Sequence, residues 1–212
     1  MLWIILGIIV SYLIGSIPTA YLFGRVFKGI DIRKFGSGNV GATNALRVLG
    51  KPAGISVLII DTLKGFIPAA AVSDLIASNS HAFSLEALCI IMGLASILGH
   101  TLSIFLNFKG GKGVATTFGV LIALALIMPG LRIVLLFAVL TWLASFFIFR
   151  IISLASVITA ASLPVYMVLL RHANNAVAVA MLLAAFIIFK HRSNLKRLFE
   201  GKEPRLNLRN KP

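Results

Sequence analysis

"MLWIILGIIVSYLIGSIPTAYLFGRVF", residues 1–27, contains no charged side chain before Arg25. About 20 consecutive apolar residues are enough for a helix to cross a bilayer. The stretch lacks the positively charged start of a secretory signal, so we expect it to be retained as a first span. The 212-residue chain as a whole is 59% hydrophobic and only 12% charged. This composition predicts an all-α integral membrane protein.

Similar apolar stretches recur along the chain, and we predict seven transmembrane helices. They are expected at residues 3–24, 53–73, 85–106, 114–129, 131–149, 152–170 and 174–190. The fourth is short and ends at Pro129-Gly130, where a tight hairpin can lead into the fifth, so five or six spans remain as alternatives. No long polar stretch interrupts the pattern, which predicts a single membrane domain over residues 1–212.

Two charged residues, Asp61 and Lys64, fall inside the second predicted span. They lie three residues apart, on one face of a helix, where they can form an ion pair. Charges at that depth are costly and normally face the interior of a helix bundle. We therefore predict that this pair points inward.

The distribution of basic residues predicts the orientation of the chain. There are 20 Lys and Arg residues against 6 Asp and Glu residues. With seven spans and the N-terminus outside, 17 basic residues fall on inner segments and only Arg132 and Arg171 on outer ones. Cytoplasmic loops of membrane proteins collect Lys and Arg, so we predict an outside N-terminus and a cytoplasmic C-terminus. The same rule explains the excess charge without nucleic acid as a partner, although anionic substrates would also suit it.

This orientation places three polar segments, residues 28–52, 107–113 and 190–212, on the cytoplasmic face. The first contains "FGSGNVGATNALRVLG", residues 35–50. Glycines let the backbone approach a ligand closely, and amides at a helix start bind anions. We expect Thr43 or Asn44 to cap a helix that carries Arg47. A tight loop with a helix cap and no ligand is the alternative, but the density of Gly, Ser and Asn beside Arg47 favours an anion site.

The second segment lies within "GHTLSIFLNFKGGKGVATT", residues 99–117. It is not a Walker A motif, because Lys112 is followed by Gly113 rather than by Ser or Thr, so we do not expect ATP hydrolysis. Its glycine amides can still bind a phosphate, with Lys109 and Lys112 supplying charge. The alternative is a flexible basic inner loop. His100 is either a packing residue or a functional one.

The third segment contains "KHRSNLKRLFEGKEPR", residues 190–205. His191, Asn194 and either Arg197 or Leu198 recur at helical spacing and share one face. A basic helix lying on anionic lipid is the alternative. Attraction to lipid does not explain Asn194, Glu200 or Glu203, so a functional segment is favoured.

Familiar catalytic motifs are missing from the sequence. It has no GxSxG and no CxxC, and Phe105 stands five residues after His100, where an HxxxxD motif would need Asp. Six acidic residues leave little for paired-carboxylate or metal chemistry. Catalysis would therefore rely on positioning and positive potential.

Together, "GSGNVGATN" (36–44), "GHTLSIFLNFKGGKGVAT" (99–116) and "HRSNLKRLFEGKE" (191–203) resemble the bacterial acyl-phosphate:glycerol-3-phosphate acyltransferases, the PlsY family. The resemblance implies seven spans in the bacterial cytoplasmic (inner) membrane, with the active site on the cytoplasmic face. It implies transfer of a fatty acyl group from acyl phosphate to the 1-hydroxyl of glycerol 3-phosphate, giving lysophosphatidic acid and phosphate. Leu102 departs from the aromatic residue that members often carry there, which affects acyl-chain packing and not the reaction.

From these segments we predict the residues of the site. Four are expected to be catalytic: Ser37, Arg47, His191 and Asn194. Those expected to bind substrate phosphate are Gly38, Asn39, Thr43, Asn44, Lys109, Gly110, Gly111, Lys112 and Gly113. Those expected to support them are His100, Thr116, Arg197 and Glu203. We expect no metal, no cofactor and no required protein partner; the partners are the two substrates and membrane lipid.

Two other functions are compatible with parts of the sequence. A membrane transporter of a phosphorylated solute would use basic residues and glycine-broken segments, but such transporters usually show paired repeats and sites near the midplane. A structural membrane protein with a lipid-binding tail would leave the first two segments unexplained. The acyltransferase reaction accounts for all three segments, with a substrate phosphate as the hypothetical proton acceptor.

Overall fold

The computed structural model describes residues 1–80 and 82–206, and all regular secondary structure within them is helical. The chain divides into two compact units, Met1–Pro129 and Gly130–Pro212. The prediction of one domain over residues 1–212 remains a prediction. Arg209 and Lys211, which were counted among the inner charges, lie outside the described residues.

The described residues of the first unit form seven α-helices. They are α1 (Leu2–Ser16), α2 (Thr19–Lys28), α3 (Ala42–Leu49), α4 (Lys51–Ile67), α5 (Ser73–Asn79), α6 (Leu85–Thr101) and α7 (Val114–Ile127). Short 3-10 turns at Ile32–Lys34 and Ile104–Leu106 and a π-helical turn at Pro68–Val72 connect some of them. The π-helical turn joins α4 to α5, so that Lys51–Asn79 is continuous over 29 residues.

Two prolines explain the irregularities in these long helices. Pro18 separates α1 from α2 within the 27-residue stretch Leu2–Lys28. Pro68 starts the π-helical turn between α4 and α5. Proline lacks an N–H and its ring crowds the preceding turn, so the regular hydrogen-bond ladder is interrupted at each position.

Glycines bring the helices of the first unit into close contact. Gly15 and Gly99 lie at the crossing of α1 and α6, and a Cβ on either would collide with a backbone carbonyl of the other helix. Gly65 and Gly119 do the same at the crossing of α4 and α7. Small residues at such crossings are typical of helices that associate within a bilayer.

The second unit contains α8 (Leu131–Phe149), α9 (Ile152–Leu169), α10 (Asn174–Lys190) and α11 (Arg192–Phe199). Helix α9 packs against both α8 and α10. The axes of α10 and α11 differ by 58°. The bend falls at His191, the first residue of the predicted His191–Asn194–Arg197 face.

The lengths of the helices show which predicted spans are long enough to cross a membrane. In the described part of the chain, five helical stretches qualify by length and composition, or six when α10 and α11 are taken as one bent span. Helix α7 has 14 residues and is about 21 Å long, shorter than the roughly 30 Å hydrocarbon core. Every predicted span thus contains a helix, but the count of seven and the orientation remain predictions.

The predicted pairing of Asp61 and Lys64 is confirmed. The Lys64 ammonium lies 2.7 Å from a carboxylate oxygen of Asp61, and the side chains are 4% and 3% exposed. Both face the interior of the first unit, as charges within a membrane span are expected to do.

Candidate active site

The first segment forms a tight loop that is held in place by hydrogen bonds of the Asn44 side chain. Gly36 and Gly38 have φ angles of 60° and 70°, in the left-handed region that favours glycine. The fully buried Asn44 side chain accepts a hydrogen bond from the Ser37 N–H (2.9 Å) and donates to the carbonyls of Ile32 (3.3 Å) and Phe35 (3.1 Å). The Asn44 amide is therefore used in hydrogen bonds to the loop, where it holds the backbone of Ser37. The predicted contact of Asn44 with phosphate remains a prediction.

The predicted helix cap was wrong. Helix α3 begins at Ala42, its N-cap is Gly41, and no side chain caps it. Thr43 and Asn44 therefore lie within the first turn. Asn44 uses its side chain for the preceding loop and not for the start of α3.

Around this loop the side chains differ in exposure. Ser37 and Arg47 are exposed, whereas Asn39 and Thr43 are half-buried. Beneath them is an apolar cluster made of Ala20, Ile32, Val40, Ala45, Val57 and Leu106. Leu106 immediately precedes the second segment, so the cluster holds the start of that segment close to the first one.

Arg33, which precedes the loop, is held by an internal ion pair. Its Nε and Nη2 donate to the Asp31 carboxylate at 2.9 and 2.7 Å. The hydrogen bond from Arg33 lowers the pKa of Asp31 to about 2. We therefore do not include Arg33 among the cations assigned to phosphate.

The second segment has an unusual backbone between α6 and α7. Asn107 and Phe108 adopt φ angles of 52° and 60°, although neither is glycine. Gly113, with φ of 82°, is the N-cap of α7, and no side chain caps this helix. The positive end of a helix dipole and its first amides are suited to an anion.

Gly110 and Gly111 lie directly against His100 of α6. The Gly111 N–H donates to the His100 carbonyl at 3.0 Å. A Cβ on Gly110 would collide with that carbonyl, and one on Gly111 would collide with the imidazole Nε2. The glycines thus have a packing reason in addition to the predicted access for phosphate.

The remaining residues of the second segment surround this loop. Lys109 is exposed and Lys112 is half-buried. Thr116 is fully buried, and its hydroxyl has no hydrogen-bond partner among the described residues. The structure therefore brings the predicted residues of the first two segments together in one unit.

The third segment lies in the second unit and is built around Glu203. One carboxylate oxygen accepts from Ser153 Oγ and Asn194 Nδ2, both at 2.6 Å, and the other accepts from Arg197 Nε at 2.8 Å. The side chain of Glu203 is 3% exposed. Burial raises the pKa of Glu203, but the hydrogen bonds from Ser153, Asn194 and Arg197 outweigh it and hold the pKa below its usual value.

His191 is also buried, with Nδ1 lying 2.8 Å from the Ile187 carbonyl oxygen. A carbonyl only accepts, so this contact assigns the proton to Nδ1. The bend between α10 and α11 thus fixes one tautomer of the predicted catalytic histidine.

Three features of the site were missed by sequence reasoning. Ser153 was not predicted, because it lies 50 residues from Glu203 and only the fold brings them together. No His–Asp pair was expected, yet His100 Nδ1 lies 3.9 Å from Asp61 Oδ1. The approach of His100 to Gly111 was also missed, and the glycines of the loop were the signal that could have suggested it. Within residues 1–80 and 82–206, no group of three or more His, Cys, Asp or Glu side chains is placed to hold a metal ion.

Comparisons with known proteins cover nearly the whole chain. A family model described as glycerol-3-phosphate acyltransferase matches residues 5–201. The glycerol-3-phosphate acyltransferase of Fusobacterium nucleatum subsp. nucleatum is 41% identical over 196 residues, which are 92% of this chain and 94% of the relative. That of Aquifex aeolicus is 43% identical over 199 residues, which are 93% of this chain and 96% of the relative.

Solved structures also match. The crystal structure of PlsY (YgiH), an integral membrane glycerol 3-phosphate acyltransferase, in its glycerol 3-phosphate form has a TM-score of 0.83 and 39% identity, with 96% of each chain covered. Its lysophosphatidic acid form has a TM-score of 0.80. The similarity thus extends across both units.

Proposed function

The chain belongs to the glycerol-3-phosphate acyltransferase family, and we propose that it transfers a fatty acyl group from acyl phosphate to the 1-hydroxyl of glycerol 3-phosphate. The products are lysophosphatidic acid and phosphate. The observation that carries the proposal is one apolar cluster in which Ile32 and Val40, on either side of the Ser37 loop, pack with Leu106, the residue immediately before the glycine loop of residues 107–113. Two phosphate-bearing substrates need two neighbouring sets of amides and cations, and this arrangement supplies them.

The reaction needs electrostatic help more than it needs a protein nucleophile. Acyl phosphate is an activated anhydride with a good leaving group. Lys109, Lys112 and Arg47 offset the negative charge of the two phosphates beside low-dielectric lipid. The Ser37 hydroxyl orients acyl phosphate or the attacking hydroxyl, and a substrate phosphate accepts the proton. His100 and Asp61 are buried, whereas Ser37 is exposed, so we do not assign them as a base for Ser37.

His191 and Asn194 are proposed to act in the same reaction, with Arg197 and Glu203 supporting them. Glu203 holds the Asn194 amide and Arg197 at fixed positions. In the buried His191 the proton lies on Nδ1, so Nε2 is the ring nitrogen that carries the acceptor lone pair.

We further propose seven spans in the bacterial cytoplasmic membrane, with the N-terminus outside and the site on the cytoplasmic face. The placement of 17 of the 20 basic residues on inner segments supports this orientation. The site then lies where a water-soluble acceptor meets a lipid-soluble donor. No protein partner, metal or cofactor enters the proposed reaction.

The test is release of phosphate from palmitoyl phosphate by the purified protein in detergent. We expect release to require glycerol 3-phosphate and to form lysophosphatidic acid in equal amounts. Arg47→Ala should lose this activity, whereas Lys51→Ala, which removes an exposed charge at the start of α4, should retain it. No glycerol 3-phosphate-dependent release by the folded protein would contradict the proposal. Uptake of intact glycerol 3-phosphate into proteoliposomes without acylation would favour the transporter instead.

A further inference from the structure

A buried polar cluster in the first unit has no part in the chemistry proposed above. It contains Asp61 and Lys64 of α4, about 15–20 Å along this helix at 1.5 Å per residue, and His100 of α6. Removing two charges from water offsets much of their mutual attraction. Net stability is therefore a poor explanation for an ion pair inside a membrane span, where charged residues usually serve function.

Lys64 links α4 to the break in the first helical stretch. Its ammonium donates to the Ile17 carbonyl, immediately before Pro18. The adjacent Ser16 carbonyl accepts a hydrogen bond from Ser103 Oγ at 2.5 Å. Carbonyls at the end of α1 lack intrahelical partners, and a cation is favourable at this end of a helix. Lys64 thus fixes the position of α4 relative to the break.

The other side of the pair faces the glycine loop. Asp61 Oδ1 lies 3.9 Å from His100 Nδ1, and the His100 carbonyl accepts the Gly111 N–H at 3.0 Å. The imidazole occupies the space that a side chain at position 111 would need. Lys64, His100 and Gly111 line one small pocket. A continuous set of contacts therefore runs from Ile17 to the loop.

Helix α6 is held to α4 at the same level. Ser96 Oγ donates to the Lys64 carbonyl at 2.5 Å, one helical turn before His100. The Asp61 carboxylate and the His100 ring are consequently held on two helices that are tied together at this point. A change in the charge pair would be transmitted to the ring and from the ring to Gly111.

We propose that Asp61 and Lys64 are positioning residues, which hold His100 against Gly111 and thereby keep the glycine loop of residues 107–113 in its phosphate-binding conformation. This inference rests on the proposed function, because it concerns how that site binds its substrate phosphate. Both side chains are buried, and in this proposal neither contacts substrate. Their effect should therefore appear in substrate affinity more than in turnover.

The main test is the neutral pair Asp61→Asn/Lys64→Met, which leaves no unpaired charge inside the bundle. Its folding is measured by thermal unfolding in detergent, and its kinetics with palmitoyl phosphate and glycerol 3-phosphate varied separately. We expect a rise of about tenfold or more in KM for one phosphate-bearing substrate, with kcat changed less than about threefold. The matched control is Glu200→Gln/Lys202→Met, which removes an exposed pair with a 3.3 Å separation and should keep the parental KM values.

Parental KM values in a folded neutral pair would overturn the proposal. If the neutral pair does not fold, Asp61→Glu is the deciding variant, because it keeps the ion pair and shifts the carboxylate by one methylene. We expect it to raise the same KM, and to combine with Gly111→Ala less than multiplicatively, since coupled positions are not additive. An unchanged KM in Asp61→Glu, or a multiplicative combination, would overturn the proposal. An inactive parent would instead contradict the proposed function.

Discussion

At the scale of single residues, Ser37 and Arg47 are held in different ways. Ser37 is fixed through its backbone N–H by the buried Asn44, which leaves the hydroxyl exposed. Arg47 is presented from helix α3, one turn beyond Asn44. The two residues therefore share Asn44 and its helix as a common support, and each has a separate experimental signature.

Arg47→Lys tests the geometry of phosphate binding. A guanidinium can bind a phosphate through two parallel hydrogen bonds, which an ammonium cannot reproduce although it keeps the charge. We expect kcat/KM to fall by about tenfold to a hundredfold, or roughly 1.4–2.7 kcal/mol. Steady-state kinetics on the purified variant would measure this, with Lys51→Arg as the reciprocal control. A kcat/KM in Arg47→Lys equal to that of the parent would contradict binding of phosphate through two parallel hydrogen bonds.

Ser37 distinguishes direct transfer from a covalent route. A serine nucleophile needs an activating base, and we expect Ser37 to position substrate instead. Ser37→Ala should lose a large part of the rate, and mass spectrometry of parent protein incubated with palmitoyl phosphate alone should find no acyl group on the peptide containing Ser37. An acyl-enzyme would overturn direct transfer, and full activity in Ser37→Ala would exclude this residue from the site.

The sequence predicted candidate site residues in the first two segments, but not which of them would hold the loops in place through tertiary contacts. Short polar residues and glycines identify an anion-binding loop by composition alone. The burial of Asn44 depends instead on packing between α3 and the preceding turn. Likewise, the contact between Gly111 and His100 depends on how the loop folds back onto α6. The burial of Asn44 has no local sequence pattern, and the loop glycines indicate a close approach without identifying His100 as the group that makes it.

At the scale of helices, the length of the apolar stretches predicted where the helical segments lie. It did not predict where these segments are interrupted. The first and second predicted spans, 3–24 and 53–73, correspond to Leu2–Lys28 and Lys51–Asn79, each irregular at a proline. Membrane helices tolerate proline because neighbouring groups satisfy the released carbonyls. Whether a proline breaks the helix thus depends on partners such as Lys64, which lies 47 residues from Ile17.

Glu203 tests how α11 is held. Glu203→Gln removes the charge that Arg197 pairs with and presents an amide N–H2 group to donors. Because hydrogen bonds to charged groups contribute about 1.5–3 kcal/mol each, we expect a destabilisation of a few kcal/mol near pH 7, measured as a lower unfolding midpoint. Arg205→Gln, in the same segment, is the exposed control.

The effect of Glu203 should also depend on pH. Its pKa is lower in the folded chain than its usual value, so its contribution to stability is full above the unfolded-state pKa of about 4.3. The contribution is lost as the pH falls through the folded-state pKa. The difference between parent and Glu203→Gln should therefore shrink in acid. A difference that stays constant between neutral pH and pH values below that range would contradict this assignment.

At the scale of the whole molecule, the orientation of the chain decides where its reaction takes place. The first two segments belong to the unit Met1–Pro129 and the third to the unit Gly130–Pro212. Basic residues dominate all three segments, while Arg132 and Arg171 are alone on the outer side of the predicted topology. The charge pattern therefore predicts a cytoplasmic position for segments of both units.

Single cysteines test this orientation. We expect cysteines at Asn79 and Asn174 to react with an impermeant thiol reagent in intact cells, and one at Lys202 to react only after the membrane is opened. All three positions are exposed, and the native Cys89 is fully buried, so the unmodified chain is the background control. Labelling of position 202 in intact cells would contradict the cytoplasmic placement of the C-terminal segment.

The break at Pro18 has a consequence for how the protein is made. The side-chain donors to the Ser16 and Ile17 carbonyls are Ser103 and Lys64, which stand 87 and 47 residues further along the chain. At about 5–20 residues per second, Ser103 leaves the synthetic machinery roughly 4–17 s after Ser16. During that interval the Ser16 carbonyl lacks its Ser103 donor and cannot settle in hydrocarbon, so we expect the first helix to wait with its break in contact with water. In ribosome-arrested chains, a cysteine at Ser16 should react with a water-soluble reagent until Ser103 has emerged, and be protected afterwards. Early protection would mean that the translocation machinery itself shelters the break.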